Sequence, residues 1–259
     1  MALKRGRGRL RVRPIAGLSL NRLIPNILTL LALCAGMTAI RLALLERFEP
    51  ATAAVIVAAV LDGVDGRIAR LLKGTSSFGA ELDSLSDFVG FGVAPAVLLY
   101  VWAMDDLHGI GWALALLYTV CCALRLARFN TQIGTELPSY ASAFFTGVPA
   151  PAAAGLVMLP MFLYFETGLA LFRSPILNGL VLAAVAGLMV SRVPTFSFKT
   201  FRVPREWVLP MLLVVGAMAA FLTTEPWIIL LVVGGLYLVS IPFSISAYAR
   251  LRRGGTRAA

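Results

Sequence analysis

The sequence predicts an all-α integral membrane protein, a polytopic helix bundle of about eight transmembrane helices. Hydrophobic residues make up 59% of the 259 residues, charged residues make up 14%, and the mean hydropathy is +0.86. Soluble domains carry about a quarter charged residues, so a soluble protein of this composition would have too few polar side chains to cover its surface. The apolar residues also fall into runs of about twenty, the length that a helix needs to cross a bilayer.

These apolar runs define the elements in order. Before the first run, Ile15, Leu18, Leu20 and Leu23 alternate with polar residues, which indicates a short helix lying in the membrane interface. The predicted spans are residues 24–42, 51–72, 82–103, 109–127, 147–168, 175–192, 207–223 and 226–248. We therefore expect a basic N-terminal segment with this juxtamembrane helix (1–23), a membrane core (24–205), a C-terminal transmembrane hairpin (206–249) and a basic tail (250–259).

The distribution of basic residues predicts the orientation. With eight spans, both termini lie on one side of the membrane, and that side carries all of the 23 basic residues except Arg41, Arg47 and Arg173. Lys and Arg accumulate in cytoplasmic segments, so we expect both termini and the connection near residue 73 in the cytoplasm. The net charge of +10 does not indicate nucleic acid as a partner, because the basic clusters flank apolar spans, where anionic lipid headgroups attract them.

Four aspartates lie at the facing ends of the second and third predicted spans. Asp62 and Asp65 are three residues apart and Asp83 and Asp87 are four apart, so each pair shares one helix face. The connection between the two spans is short, which makes them antiparallel neighbours and lets the four carboxylates converge in one cleft. Carboxylates in hydrocarbon are costly and indicate function. Oxygen ligands without Cys or His favour Mg²⁺, Mn²⁺ or Ca²⁺ over zinc.

Small residues and an arginine accompany the aspartates. Gly63, Gly66, Ala69 and Gly79 would let a flat base and its sugar approach the backbone. Arg70 lies four residues after Gly66 on the same helix face, where a guanidinium can bind phosphate oxygens. These features suit a nucleotide diphosphate. Structural ion pairs and an ion path are the alternatives that a single intramembrane aspartate would leave open.

The stretch from Asp62 to Asp87 reads D-x-x-D-G-x-x-A-R, then eight residues, then G-x-x-x-D-x-x-x-D. It resembles, at every fixed position, the signature of the CDP-alcohol phosphotransferases. The resemblance implies that residues 24–205 form the family's membrane core, with two divalent metal ions in one site. It implies that Asp62, Asp65 and Asp83 hold one ion and that Asp62, Asp83 and Asp87 hold the other. Asp87 would also be the general base, and the cytidine diphosphate would contact Asp65, Gly66, Ala69, Arg70 and Gly79.

Further segments are similar to the membrane-embedded bacterial phosphatidylserine synthases of this family. They are residues 24–30, 78–87, 91–96, 125–130, 147–151 and 191–197. Gly90 is a departure, since many relatives have Ser there. The likeness implies transfer of a phosphatidyl group from CDP-diacylglycerol to L-serine with release of CMP. It also implies a bacterial inner (plasma) membrane location with a cytoplasmic active site, and it suggests a homodimer.

The serine pocket is the least defined part of the predicted site. A zwitterion needs a cation for its carboxylate and acceptors for its ammonium. Arg125, Arg128 and Asn130 end the fourth predicted span on the side of the aspartates, so we assign serine binding to them. The alternative for each arginine is an anchor that follows the positive-inside rule.

Three other functions remain open from the sequence. The same chemistry can use another acceptor alcohol: glycerol 3-phosphate, inositol phosphate or choline. A transporter could use the acids as an ion path, although the internal repeats that many such folds carry are not found in the sequence. A non-catalytic lipid-binding scaffold would not depend on Asp87.

Overall fold

Helices make up almost the whole of the structure, a computed structural model that describes residues 20–72, 76–132, 144–196 and 208–255. The α-helices are α1 (Leu20–Leu44), α2 (Phe48–Leu71), α3 (Ser77–Asp87), α4 (Ala94–Leu99), α5 (Gly109–Gln132), α6 (Ala150–Val157), α7 (Leu159–Thr167), α8 (Pro175–Val190), α9 (Val208–Thr224) and α10 (Pro226–Gly255). Shorter turns of other types are the π-helical Phe88–Val93 and Tyr100–Met104 and the 3₁₀ turns Asp105–Leu107 and Ala170–Arg173.

The predicted all-α membrane class is confirmed. Within the described residues, five helices are long and apolar enough to cross a membrane: Leu23–Leu44, Ser77–Leu107, Gly109–Thr131, Ala150–Thr167 and Pro226–Tyr248. The helices α8 and α9 are apolar but shorter, and α2 is 24 residues long and carries the first two aspartates. A helix thus occupies each of the eight predicted runs, while the number that cross the bilayer stays a prediction. The predicted interfacial helix lies mostly outside the described residues, and Leu20 already belongs to α1.

The first three helices form the frame of the site. α1 and α2 pack along each other as an antiparallel pair, and α1 also contacts α3 and the π-helical turn after it. The approach is close because both surfaces carry glycine. A Cβ atom on Gly36 would lie 3.1 Å from the Cα of Gly90. Small residues allow such close contact between membrane helices, where packing drives association.

The core contains residues of the π-helical turns and of α4, α5, α6, α7 and α8, together with alanine and valine residues of α1 and α2. Its largest fully buried side chains include Trp102, Tyr118, Phe91, Met161 and Met189. The buried Tyr118 hydroxyl donates a hydrogen bond to the carbonyl oxygen of Phe91 at 2.9 Å. This bond satisfies a carbonyl in the π-helical turn directly after Asp87, so the end of α3 is held against α5.

The opposite end of the bundle is marked by Arg173. Its Nε donates to the carbonyl of Trp102 at 3.0 Å, and its guanidinium lies 5.7 Å from the ring centroid of Phe48. Phe48 begins α2, and Asp62 follows fourteen residues later, roughly 21 Å along the helix axis at 1.5 Å per residue. The aspartates and Arg173 therefore lie toward opposite ends of α2.

A small antiparallel ladder was not expected from the sequence. Phe144–Thr146 pairs with Pro194–Phe196. Gly147 follows the first strand with φ +78°, and a Cβ there would lie 2.6 Å from the carbonyl oxygen of Met189. Thr195 Oγ1 also donates to the Gly147 carbonyl at 2.9 Å. The ladder brings together two of the segments that carry the family resemblance, 147–151 and 191–197.

Candidate active site

Three of the four predicted aspartates form one cluster. Carboxylate oxygens of Asp62, on α2, and of Asp83 and Asp87, on α3, all lie within 4.8 Å of one another. All three side chains are partly buried. The three- and four-residue spacings put the carboxylates on one face of each helix, and α1, which packs against both α2 and α3, holds those two faces toward each other. The structure thus brings these carboxylates together as the sequence predicted.

Asp65 belongs to the same region but has a different environment. It is 2% exposed, and its Oδ2 accepts a hydrogen bond of 2.6 Å from Thr29 Oγ1 on α1. Its Oδ1 is buried and has no hydrogen-bond partner among the described residues. Asp65 is therefore tied to α1, whereas the other three aspartates face one another.

A cleft of about 200 Å³ opens beside the carboxylates. Asp65 and Asp83 line it, and so do Gly66, Ala69 and Gly79, which are three of the residues predicted to contact the nucleotide. A Cβ on Gly79 would lie 3.0 Å from Asn26 Oδ1 and 3.2 Å from Ser76 Oγ, whereas a Cβ on Gly66 would meet nothing within 4 Å. The cleft is open at Gly66 and narrow at Gly79.

Arg70 is predicted to contact the nucleotide, but it does not line the cleft. Its side chain is exposed, and its Nε donates to the carbonyl oxygen of Gly66 at 3.0 Å, one turn earlier on α2. The guanidinium therefore lies beside the mouth of the cleft without lining it. Its remaining N–H donors have no partner among the described residues and can bind an anion that extends past Gly66.

The donor set fits a divalent cation. Two carboxylate oxygens in the described part of the chain, Asp65 Oδ1 and Asp87 Oδ1, are buried without a hydrogen-bond partner. Unpaired buried acceptors are expensive, and a cation would satisfy them. All the clustered donors are carboxylate oxygens, the ligands of Mg²⁺, Mn²⁺ and Ca²⁺. The cluster can hold such an ion.

The two arginines of the predicted serine pocket have part of their donors engaged by the backbone. Arg125 is 9% exposed and its Nε donates to the carbonyl of Val148. Arg128 Nη1 donates to the carbonyl of Val190, the last residue of α8, at 2.9 Å. Arg125 also lies close enough to Asp87 for their charges to interact. Arg125 therefore lies within the helix bundle and not on its surface.

Asn130 contacts the helix that carries two of the aspartates. Its Nδ2 donates to Ser84 Oγ at 2.9 Å, and Ser84 follows Asp83 directly. The end of α5 is therefore joined to α3 beside the carboxylate cluster.

Several cleft residues were not singled out from the sequence. Pro25, Asn26 and Thr29 come from α1, while Ser76 and Ala80 come from the start of α3. The α1 residues lie within the segment 24–30 that carries part of the family resemblance, so a signal was present. Ser76 accepts a hydrogen bond of 3.0 Å from the Gly79 backbone N–H as the N-cap of α3, a role that the Ser-x-x-Gly spacing alone does not disclose.

Carboxylates that cluster beside a cleft in an apolar helix bundle mark a functional site of a membrane protein. The chain belongs to the CDP-alcohol phosphatidyltransferase family, because the model of that family matches residues 22–231. This match covers all the aspartates and all the cleft-lining residues, and with the apolar helices it identifies an integral membrane protein.

Several similar proteins carry the same name. The chain is 39% identical over 226 residues to CDP-diacylglycerol–serine O-phosphatidyltransferase of Mycobacterium leprae, covering 86% of this chain and 75% of that protein. It is 37% identical over 221 residues to the enzyme of that name from Helicobacter pylori, covering 84% of this chain and 88% of that protein. The Bacillus subtilis enzyme is 35% identical over 176 residues, or 68% of this chain and 91% of that protein.

Proposed function

We propose that the protein transfers the phosphatidyl group from CDP-diacylglycerol to the hydroxyl of L-serine, giving phosphatidylserine and CMP. The observation that carries this proposal is the cluster of Asp62, Asp83 and Asp87, within 4.8 Å of one another, beside a cleft lined by Gly66 and Gly79. The relatives named above support serine as the acceptor.

The carboxylates hold two divalent ions, Mg²⁺ or Mn²⁺, with Ca²⁺ a third candidate. Asp62, Asp65 and Asp83 hold one ion, and Asp62, Asp83 and Asp87 hold the other, as the family resemblance implies. When bound, these ions supply polarisation of the phosphoryl oxygens and offset the charge on the leaving nucleotide. The buried, unpaired oxygens of Asp65 and Asp87 support this assignment.

Asp87 is the general base. A serine hydroxyl is a weak nucleophile until a base takes its proton. The Asp87 carboxylate accepts that proton, the serine oxygen forms a bond to the β-phosphorus, on the lipid side of the diphosphate, and the bond from this phosphorus to the bridging oxygen of CMP breaks. Asp65, Gly66, Ala69, Arg70 and Gly79 bind the cytidine diphosphate portion, with Arg70 at the mouth of the cleft.

Arg125, Arg128 and Asn130 bind the serine. Arg125 is best placed to pair with the serine carboxylate, because it is buried and near Asp87. Its Nε is occupied by Val148, which fixes the guanidinium plane and leaves the other N–H donors available. Asn130 orients Ser84 on α3 and so shapes the same side of the pocket.

The membrane arrangement follows the same proposal. The chain crosses a bacterial inner membrane eight times, with both termini and the active site in the cytoplasm, where serine and CMP are soluble. Residues 1–23 are the basic N-terminal segment, 24–205 the catalytic core, 206–249 the C-terminal hairpin and 250–259 the basic tail. The protein acts as a homodimer and does not bind nucleic acid.

The identity of the acceptor alcohol is tested with purified protein in detergent. CDP-diacylglycerol is supplied with labelled serine, glycerol 3-phosphate, inositol phosphate or choline, and the lipid product is identified by mass. We expect phosphatidylserine and an equal amount of CMP. Product from glycerol 3-phosphate but not from serine would show that the acceptor is glycerol 3-phosphate. No CMP release with any of the alcohols, together with ion flux after reconstitution into lipid vesicles, would favour a transporter.

A further inference from the structure

One residue of α1, Thr29, contacts both of the helices that carry the carboxylates, α2 and α3. Thr29 is 4% exposed, and its Oγ1 lies 2.6 Å from Asp65 Oδ2 on α2 and 3.1 Å from the carbonyl oxygen of Pro25 on its own helix. A hydroxyl has one proton, and the shorter contact is the one to the carboxylate. Hydrogen bonds to an ionised oxygen are shorter and roughly twice as strong as neutral ones, so Thr29 donates to Asp65.

The backbone of the same residue holds α3. Ser86 Oγ donates to the carbonyl oxygen of Thr29 at 3.1 Å, and Ser86 is 5% exposed. Ser86 directly precedes Asp87. The side chain of Thr29 therefore contacts α2, and its backbone carbonyl contacts α3. All three polar groups are buried, so water does not compete for these bonds.

We propose that Thr29 is a positioning residue for cation binding, which acts by occupying Asp65 Oδ2 and so leaves Oδ1 as the oxygen that binds the ion. Asp65 Oδ1 is the buried oxygen without a partner, and its carboxyl group can turn about its terminal torsion unless one oxygen is held. This inference rests on the proposed function only in taking Asp65 as a metal ligand. Partners that orient a ligand commonly change metal affinity by 10- to 100-fold when they are removed.

The chain offers a matched set of variants. Thr29→Val removes the hydroxyl and keeps the shape, while Thr29→Ser keeps the hydroxyl. Thr38→Val is the control, because Thr38 is an exposed residue of α1 whose Oγ1 donates only to the Cys34 carbonyl, at 2.7 Å. Ser86→Ala tests whether the tether to α3 has an effect of its own.

The measurement is Mn²⁺ binding to the full-length protein in detergent, followed by electron paramagnetic resonance without substrates. We expect Thr29→Val to weaken Mn²⁺ binding by about 10- to 100-fold, with Thr29→Ser and Thr38→Val close to the unmodified protein. Ser86→Ala should lower the midpoint of thermal unfolding with a smaller effect on Mn²⁺. In an Asp65→Asn background, Thr29→Val should cause no further loss.

Two results would overturn the inference: unchanged Mn²⁺ affinity in Thr29→Val while Asp65→Asn weakens it, or an equal loss in Thr29→Ser. If Thr29→Val does not fold, Thr29→Ala carries the same expectation and is compared with Thr29→Ser. Failure of the proposed function looks different, because the unmodified protein would then bind no Mn²⁺ or would bind it equally well without Asp65.

Discussion

Asn130 Nδ2 donates a hydrogen bond of 2.9 Å to Ser84 Oγ, and Ser84 Oγ in turn donates to the carbonyl oxygen of Ala80 at 2.9 Å. The end of α5 is thereby fixed against the turn of α3 between Asp83 and Asp87. The proposed serine pocket and the carboxylate cluster thus share a hydrogen-bonded wall. A substitution at Asn130 should therefore weaken the binding of serine more than the binding of CDP-diacylglycerol.

Asn130→Ala is expected to raise the KM for serine about five-fold, which corresponds to the loss of one hydrogen bond of about 1 kcal/mol. The KM for CDP-diacylglycerol should not change. Steady-state kinetics with each substrate varied in turn measures both. Thr131→Ala, an exposed neighbour on α5, is the control. Equal increases in the two KM values would contradict a specific role in the acceptor pocket.

Asp87→Asn is expected to lower kcat by at least about 100-fold, because the amide cannot take a proton from serine. Binding of CDP-diacylglycerol should be largely retained. The test combines product formation with a substrate-binding assay in detergent. Asp106→Asn, at the other end of the bundle, should leave both unchanged. Substantial synthesis by the Asp87 variant would show that another group is the base.

Gly66→Ala should separate stability from binding. A Cβ at Gly66 meets nothing within 4 Å in the structure, and alanine favours a helix over glycine by about 1 kcal/mol, so the variant should unfold at the same or a higher temperature. The added methyl enters the cleft and should weaken CDP-diacylglycerol binding. Gly63→Ala, on the same helix and also with open space, lies outside the cleft lining and should retain binding. A similar loss in both variants would place the nucleotide elsewhere.

Removal of divalent metal should abolish activity and lower thermal stability together. A ligand at 100 times its Kd stabilises the folded state by about 2.7 kcal/mol, so chelation lowers the midpoint of unfolding, and Mg²⁺ or Mn²⁺ restores it. Asp83→Asn should show little of this metal-dependent shift. Full activity after exhaustive chelation would exclude metal-assisted catalysis.

Arg125→Met should destabilise the protein more than Arg128→Met. Loss of the Arg125 guanidinium leaves the buried carbonyl of Val148 without its donor, at a cost of about 1–3 kcal/mol, whereas Arg128 is half-buried and its loss is partly compensated by water. Arg125→Met should also raise the KM for serine. Thermal unfolding and serine kinetics check the two effects. Equal destabilisation would mean that burial does not distinguish the two arginines.

The spacing of Asp62, Asp83 and Asp87 was enough to predict their convergence, because helix periodicity and a short connection are local properties. The spacing did not predict where the Arg70 guanidinium would lie, because a long side chain can bond to its own helix. The hydrogen bond from Arg70 to the Gly66 carbonyl oxygen is such a case.

The ladder between Phe144–Thr146 and Pro194–Phe196 could not be predicted. Its strands are three residues long and separated by about fifty residues, so neither has a periodic pattern of its own. Gly147 follows the first strand with a positive φ, at a place where a Cβ atom would meet the carbonyl oxygen of Met189 near the end of α8. Pairing between such distant segments depends on the packing of α5, α6 and α8.

The sequence by itself determined the membrane class, the apolar helical runs and that carboxylates of two successive helices would meet, because apolar run length and residue spacing act along the chain. The tertiary structure alone decided that Thr29 occupies one oxygen of Asp65, that Arg125 is buried near Asp87 and that Asn130 binds Ser84. These contacts join residues from different helices, and their distances depend on how the helices pack.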